Sequence, residues 1–234
     1  KDPAIVLASA DLERATDAVL RASVMATGQA CLSIERVYVD RRVFQPFVDL
    51  LVEKARRVRL NHPDIADGQL GPVIFERQAA IIDEHLDDAV AKGAKILCGG
   101  RTERLGGGCW CRATVVTDVT HQMKLMTDET FGPIIPVMAF DTVDEAVALA
   151  NDTTFGLSGA VFAGTLEEAQ AVAVRIDAGG MSLNDAGLTY QTYEAEKNSF
   201  GYSGLGGSRM GPGSILRFVR KQAHLMQTGA PARI

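Results

Sequence analysis

Short apolar runs alternate along this chain with longer segments whose apolar residues fall on one helical face. That alternation is the strongest constraint on what the chain can fold into. Residues 3–8, 37–39, 94–98, 113–116, 134–140, 158–162 and 181–183 read as strands. Between the first two, Leu12, Ala15, Val19 and Ala22 recur at helical spacing, behind a start marked by Ser9 or Asp11. Phe44, Phe47, Val48, Leu51 and Ala55 do the same within a second helix over residues 41–59. Further helices are expected over residues 72–92, with Gly93 as the C-cap, and over 143–150 and 165–176. Residues 61–71 and 99–108 read as loops. Strands separated by helices cannot pair as tight hairpins, so the expected fold is α/β: a mostly parallel open sheet with helices on both faces. No linker divides the body. Residues 1–200 are expected to form one domain, and residues 201–234 a glycine-rich, irregular C-terminal region in which residues 221–228 read as a strand.

Composition narrows the function classes. With 47% hydrophobic residues there is ample core. Lys and Arg number 24 against 29 Asp and Glu, so no basic surplus exists to neutralise nucleic acid or an anionic membrane. The longest uncharged stretch, residues 153–166, is 14 residues with three glycines, too short to cross a bilayer. The four cysteines are too few to staple a chain of 234 residues and indicate reduced thiols in a cytoplasmic setting. Cys98, Cys109, Cys111 and His121 could be written as a metal set. Cys-x-Cys around Trp110 is not the usual chelating spacing, however, and small buried or loop cysteines are the favoured reading, with no metal. The start, Lys1-Asp2-Pro3, resembles neither an initiator nor a targeting segment, which leads to the expectation of a longer parent chain.

Three constellations could carry chemistry. Cys31 follows Gly28-Gln29-Ala30; it is either a small buried hydrophobe or a thiol nucleophile, and the second gains if residues 32–35 begin a helical turn that favours the thiolate. In Glu129-Thr130-Phe131-Gly132-Pro133, Glu129 could bind ribose hydroxyls and Phe131 pack on a flat ring; a solvated Glu beside a core Phe is the alternative. Asn184, after Gly179-Gly180 and a short strand, either lines a site or holds a turn. The clusters at Gly106-Gly107-Gly108 and from Gly201 to Gly206 lack phosphate-loop spacing and read as loops. Glu194, Glu196 and Lys197, and the basic set from Arg56 to Arg59, read as solvated faces.

Together and in this order, these segments resemble the aldehyde dehydrogenase superfamily along the whole chain. The resemblance rests on Lys1 to Val6, Gly28 to Cys31 with Arg36 and Val37, Glu129 to Pro133, Asn151 to Leu157, Gly180 to Asn184, and Ser203-Gly204 to Arg209. Val24 and Ala26 stand where the family usually has Phe and Asn, and the C-terminal Ser-Gly and Gly-Arg pattern is altered, which leaves the subfamily open.

The resemblance implies NAD(P)-dependent oxidation of a small-molecule aldehyde to an acid. Cys31 would be the nucleophile, Glu129 and Phe131 would bind NAD or NADP, and Ala30, Leu32 and Asn184 would line the substrate pocket. Ala30 and Leu32 are apolar and would not select a charged group. Lys1 would close a Glu-Leu-Gly-Gly-Lys motif whose Glu is the general base. The base, an oxyanion-hole Asn and the nucleotide-binding half would then lie upstream, and these residues by themselves would be inactive. Residues 221–228 would serve a homo-dimer or homo-tetramer. A non-catalytic oligomerising fragment and a CoA-acylating relative are the competing readings.

Overall fold

The computed structural model describes residues 1–205, 207–208 and 210–230. In chain order the elements are β1 (Asp2–Val6), α1 (Leu12–Val24), β2 (Ile34–Asp40), α2 (Phe44–Arg56), α3 (Glu76–Ala91), β3 (Lys95–Cys98), β4 (Glu103–Leu105), β5 (Gly108–Trp110) and β6 (Thr114–Thr117). They continue with α4 (Lys124–Thr127), β7 (Ile134–Phe140), α5 (Val143–Asn151), β8 (Phe155–Gly156), β9 (Ser158–Phe162), α6 (Leu166–Ala173), β10 (Gly180–Leu183), α7 (Leu188–Gln191) and β11 (Phe200–Gly201). Among the described residues seven strands form the main sheet, in the order β10-β9-β1-β2-β7-β6-β3. All its pairings are parallel except β3 with β6.

Alternation along the strands divides the core. Ala4 and Val6 of β1, with Val37 and Val39 of β2, face α1 and α2, meeting Ala15, Val19, Phe47 and Leu51. Ile5 and Tyr38 face the other way, toward Ile82 and Leu86 of α3, Ala146 of α5 and Val172 of α6. The central strands are apolar on both sides because helices cover both sides. Helix starts are fixed locally: Asp11, Thr142 and Thr165 cap α1, α5 and α6 by accepting the N–H three residues on.

Several expected boundaries shift for identifiable reasons. The helix expected from residue 72 begins at Glu76, because Val73 donates to the Cys109 carbonyl and Ile74 to the Gln29 side chain. The expected loop 99–108 contains the hairpin of β4 and β5. Gly106 and Gly107 both have positive φ at its turn, the pairing a two-residue hairpin loop requires. The condition of a helical turn over residues 32–35 is not met: Ala30 to Ser33 form a turn, and Ile34 already pairs with Asp2. Residues 221–228 make no strand within the single chain and are exposed, since a strand needs a partner edge. Arg209, part of the tail motif, lies outside the described residues, as do Gly206 and residues 231–234. Among the described residues no helix is long and apolar enough to cross a membrane.

Candidate active site

The amino ends of β1, β2, β7, β9 and β10 gather the loops that matter. Cys31 precedes β2 and is exposed. The backbone behind it is tightly wound: Ala26, Thr27 and Gly28 all have positive φ. At Gly28 the reason is contact. A Cβ there would sit 2.2 Å from the Gly132 carbonyl oxygen and 2.7 Å from the Pro133 nitrogen. The cysteine loop is therefore pressed against the loop that carries Glu129 and Phe131. Gln29 ties it on another side, accepting the Ile74 N–H at 2.8 Å and donating to the Pro72 carbonyl at 3.3 Å.

The second loop is held from beneath by Glu35, the second residue of β2. One carboxylate oxygen accepts the Phe131 N–H at 2.9 Å; the other accepts the Thr130 N–H at 3.0 Å and the Lys1 ammonium at 2.5 Å. Both side chains of this ion pair are buried. Burial alone would raise the Glu35 pKa, but Lys1 and the two backbone donors outweigh it and hold the carboxyl below its ordinary range. Next in the strand, the buried Arg36 donates to the carbonyls of Lys1, Leu149 and Ala150, stitching β2 to the start of β1 and the end of α5. With the Thr130 and Phe131 N–H groups occupied, the loop presents Glu129 exposed and Phe131 half-buried at φ 52°. Partial burial and the nearby Glu35 push the Glu129 carboxyl upward.

Thr130 is anchored further by α3. Gln78 donates to its carbonyl at 2.7 Å, and His85 Nδ1 lies 3.2 Å from its hydroxyl. Burial, then the Lys1 charge, lowers the His85 pKa below 6.5. Such a histidine is protonated more readily unfolded than folded, so it opposes folding as pH falls through 6.5 and has no effect above it. Urea midpoints at pH 5 and pH 7 should therefore differ less in His85→Gln than in the parent protein. An unchanged difference would remove His85 as a source of acid sensitivity.

Cys31 and Leu32 open onto a pocket of about 210 Å³ whose other walls include Leu157, Lys197, Ser199, Ser203, Leu205 and Met210. The far wall is fixed by β11, which pairs antiparallel with β8, and by the Ser203 hydroxyl, which accepts the Gly156 N–H at 3.0 Å. Among the described residues the Cys31 N–H has no acceptor. Lys197, expected to be solvated, is instead half-buried in this wall, and the signal that could have found it is Gly179-Gly180. A Cβ on Gly179 would lie 1.4 Å from the Asn198 carbonyl oxygen, and one on Gly180 would lie 2.9 Å from Lys197 Cδ. Those glycines exist to let this segment approach.

Not every expected site residue comes together. Cys31 and Leu32 share the pocket; Ala30 is adjacent in the chain but does not line it. Glu129 and Phe131 sit on the abutting loop rather than in the pocket wall. Asn184 is elsewhere. It follows the carboxyl end of β10, four residues beyond Gly180, or about 13 Å at ~3.3 Å per strand residue. Its side-chain oxygen accepts the Ala163 N–H at 2.8 Å and its φ is 52°, so it holds a turn. The cysteine–histidine set separates too. His121 bonds Tyr38 and Asp152, while the Cys98 and Cys111 thiols donate to backbone carbonyls. Burial pushes the Cys111 thiol up to about 12.

Residues 1–223 match the model of the Aldehyde dehydrogenase family. A solved structure from Anabaena variabilis, provisionally described as the aldehyde dehydrogenase PutA, is 57% identical with a TM-score of 0.95, covering 100% of this chain and 50% of that one. Betaine aldehyde dehydrogenase from Staphylococcus aureus, solved with NAD+, is 31% identical with a TM-score of 0.85, covering 93% of this chain and 43% of that one. A Mycobacterium ulcerans protein with the provisional name succinate-semialdehyde dehydrogenase (NADP+) 2 is 34% identical over 223 residues. That match covers 95% of this chain and 43% of the relative, so the chain spans about half the length of the relatives it matches.

Proposed function

Since the chain belongs to the aldehyde dehydrogenase family, we propose that it is the catalytic part of an NAD(P)-dependent aldehyde dehydrogenase in which Cys31 is the nucleophile. The observation that carries this reading is the exposed Cys31 thiol, which opens on a largely apolar pocket and whose loop is in backbone contact with the Glu129–Phe131 loop. The Cys31 thiolate attacks the aldehyde carbon to give a thiohemiacetal. Its oxyanion is stabilised by the Cys31 N–H, which has no acceptor among the described residues. Departure of the aldehyde hydrogen as hydride leaves a thioester on Cys31, and water then releases the acid. Release to CoA instead is the acylating variant.

The chemistry on the second loop fits a nicotinamide cofactor: an exposed carboxylate suits a ribose diol, and a half-buried aromatic suits a flat ring. Glu129 and Phe131 would hold it, and when bound it supplies the hydride acceptor. Glu35 keeps these two side chains aimed outward by engaging the backbone beneath them.

Among the described residues lining the Cys31 pocket there is no carboxylate to activate water. These 234 residues expressed by themselves are therefore expected to give no sustained aldehyde-dependent NAD(P)H formation, since the thioester would not be turned over. The exposed Ile215, Leu216, Phe218, Leu225 and Met226 support self-association of the C-terminal region into a homo-dimer or homo-tetramer. The Cys98 and Cys111 thiols support a reducing, cytoplasmic setting.

The test is full-length protein incubated with aldehyde and NAD or NADP, with and without CoA, followed by quenching and peptide mapping. A mass increase equal to the acyl group on the Cys31 peptide, with acid or acyl-CoA released over time, is expected. Turnover with no acyl adduct on that peptide under any condition would overturn the assignment of Cys31, and brisk turnover by the 234-residue chain would overturn its dependence on residues elsewhere.

A further inference from the structure

Lys197 brings a cation to the wall of the Cys31 pocket from far along the sequence. Its stem lies over Gly180, where a Cβ would come within 2.9 Å of Cδ, and its backbone N–H donates to the Ser208 hydroxyl at 2.9 Å. The side chain is therefore held at both ends: Nζ donates to the Thr189 carbonyl at 2.8 Å. That single acceptor leaves donors over, and among the described residues no carboxylate reaches it within ion-pair distance. Burial lowers its pKa, and Asp2 and Cys31 oppose that. A half-buried lysine with no carboxylate at ion-pair distance among the described residues, lining a pocket that also holds Leu32, Leu157, Leu205, Met210 and two serines, is an incomplete ion pair.

We propose that Lys197, with the Ser199 and Ser203 hydroxyls beside it, binds an anionic group on the substrate, so that the preferred aldehydes carry a carboxylate at the end remote from the carbonyl. This rests on the reading of Cys31 as nucleophile and names the substrate class for it. The pocket, about 210 Å³, has room for a short aldehyde chain. The apolar Leu32 packs on the intervening methylenes, and selectivity comes from the far wall.

Two reagents of nearly equal shape test this without turnover. Iodoacetate is anionic and iodoacetamide neutral; both alkylate a thiolate by displacing iodide. Their rate ratio at Cys31, read by peptide mapping of the full-length protein, cancels any effect of Lys197 on the thiolate itself. The ratio at Cys31 is expected to exceed that at Cys98, and to fall by on the order of fivefold in Lys197→Met, the effect of one partly screened charge. Lys197→Arg should retain most of it. An unmoved ratio in Lys197→Met, or equal slowing by both reagents, overturns the proposal.

Turnover then separates the two levels of inference. The kcat/KM ratio of 4-oxobutanoate to pentanal should drop in Lys197→Met. If no aldehyde is oxidised but the alkylation ratio depends on Lys197, the dehydrogenase reading fails and the anion site stands. If both aldehydes are oxidised with a ratio that Lys197→Met does not move, the anion site fails and the dehydrogenase reading stands.

Discussion

Replacing Glu35 with glutamine is expected to destabilise the protein by about 3–5 kcal/mol, the usual cost of removing one partner from a buried ion pair. Lys1 Nζ is fully buried and its carboxylate partner is Glu35, with Thr130 Oγ1 at 3.4 Å as a further hydrogen-bond partner among the described residues. Glutamine keeps the shape and one acceptor but leaves the ammonium unneutralised. At roughly 2–4 °C per kcal/mol for a chain of this size, the thermal midpoint should fall by about 6–20 °C. The companion variant Lys1→Met/Glu35→Gln removes both charges and should recover most of that loss. It should not recover cofactor affinity, because Thr130 and Phe131 would still share a single acceptor in place of two. A Glu35→Gln midpoint within about 2 °C of the parent would mean that the pair contributes little.

Alanine at Gly28 is expected to be strongly damaging to the thiol's loop. The residue has φ 68°, where an L-residue pays roughly 1–2 kcal/mol. The new Cβ also meets backbone, the Gly132 carbonyl at 2.2 Å, so no side chain can swing aside. The two loops must part. A displacement near 1 Å between a nucleophile and the groups that position its partner reduces turnover by about 100-fold. Steady-state kinetics of Gly28→Ala should show that loss, together with a raised KM for NAD or NADP. A variant with kcat and cofactor KM near those of the parent would show that the contact is dispensable.

The strand and helix alternation made the sheet legible because burial on both faces leaves an unmistakable apolar run. Residues 134–140 and 158–162 were readable to their ends for that reason. Less legible was anything set by partners distant in sequence. A helical turn after Cys31 was left open by the local sequence, and the pairing of Ile34 with β1 decides against it. Asn184 had two local readings, and the choice depended on which end of the sheet carries the site. Lys197 sits among charged residues that resemble any solvated segment, and its placement depends on glycines some 17 residues earlier. The tail over residues 221–228 has strand character that a single chain gives nothing to pair with.

The backbone contact at Gly28 and the carboxylate clamp of Glu35 join the thiol's loop to the loop of Glu129 and Phe131. Epistasis is thereby built into the fold. Substitutions made to retune aldehyde preference on one loop and cofactor preference on the other will not add, because each resets the floor on which the other stands. Variation on this scaffold is freest where the two loops do not meet, along the wall contributed by Lys197, Ser199, Ser203, Leu205 and Met210, so a new substrate range is most readily reached from there.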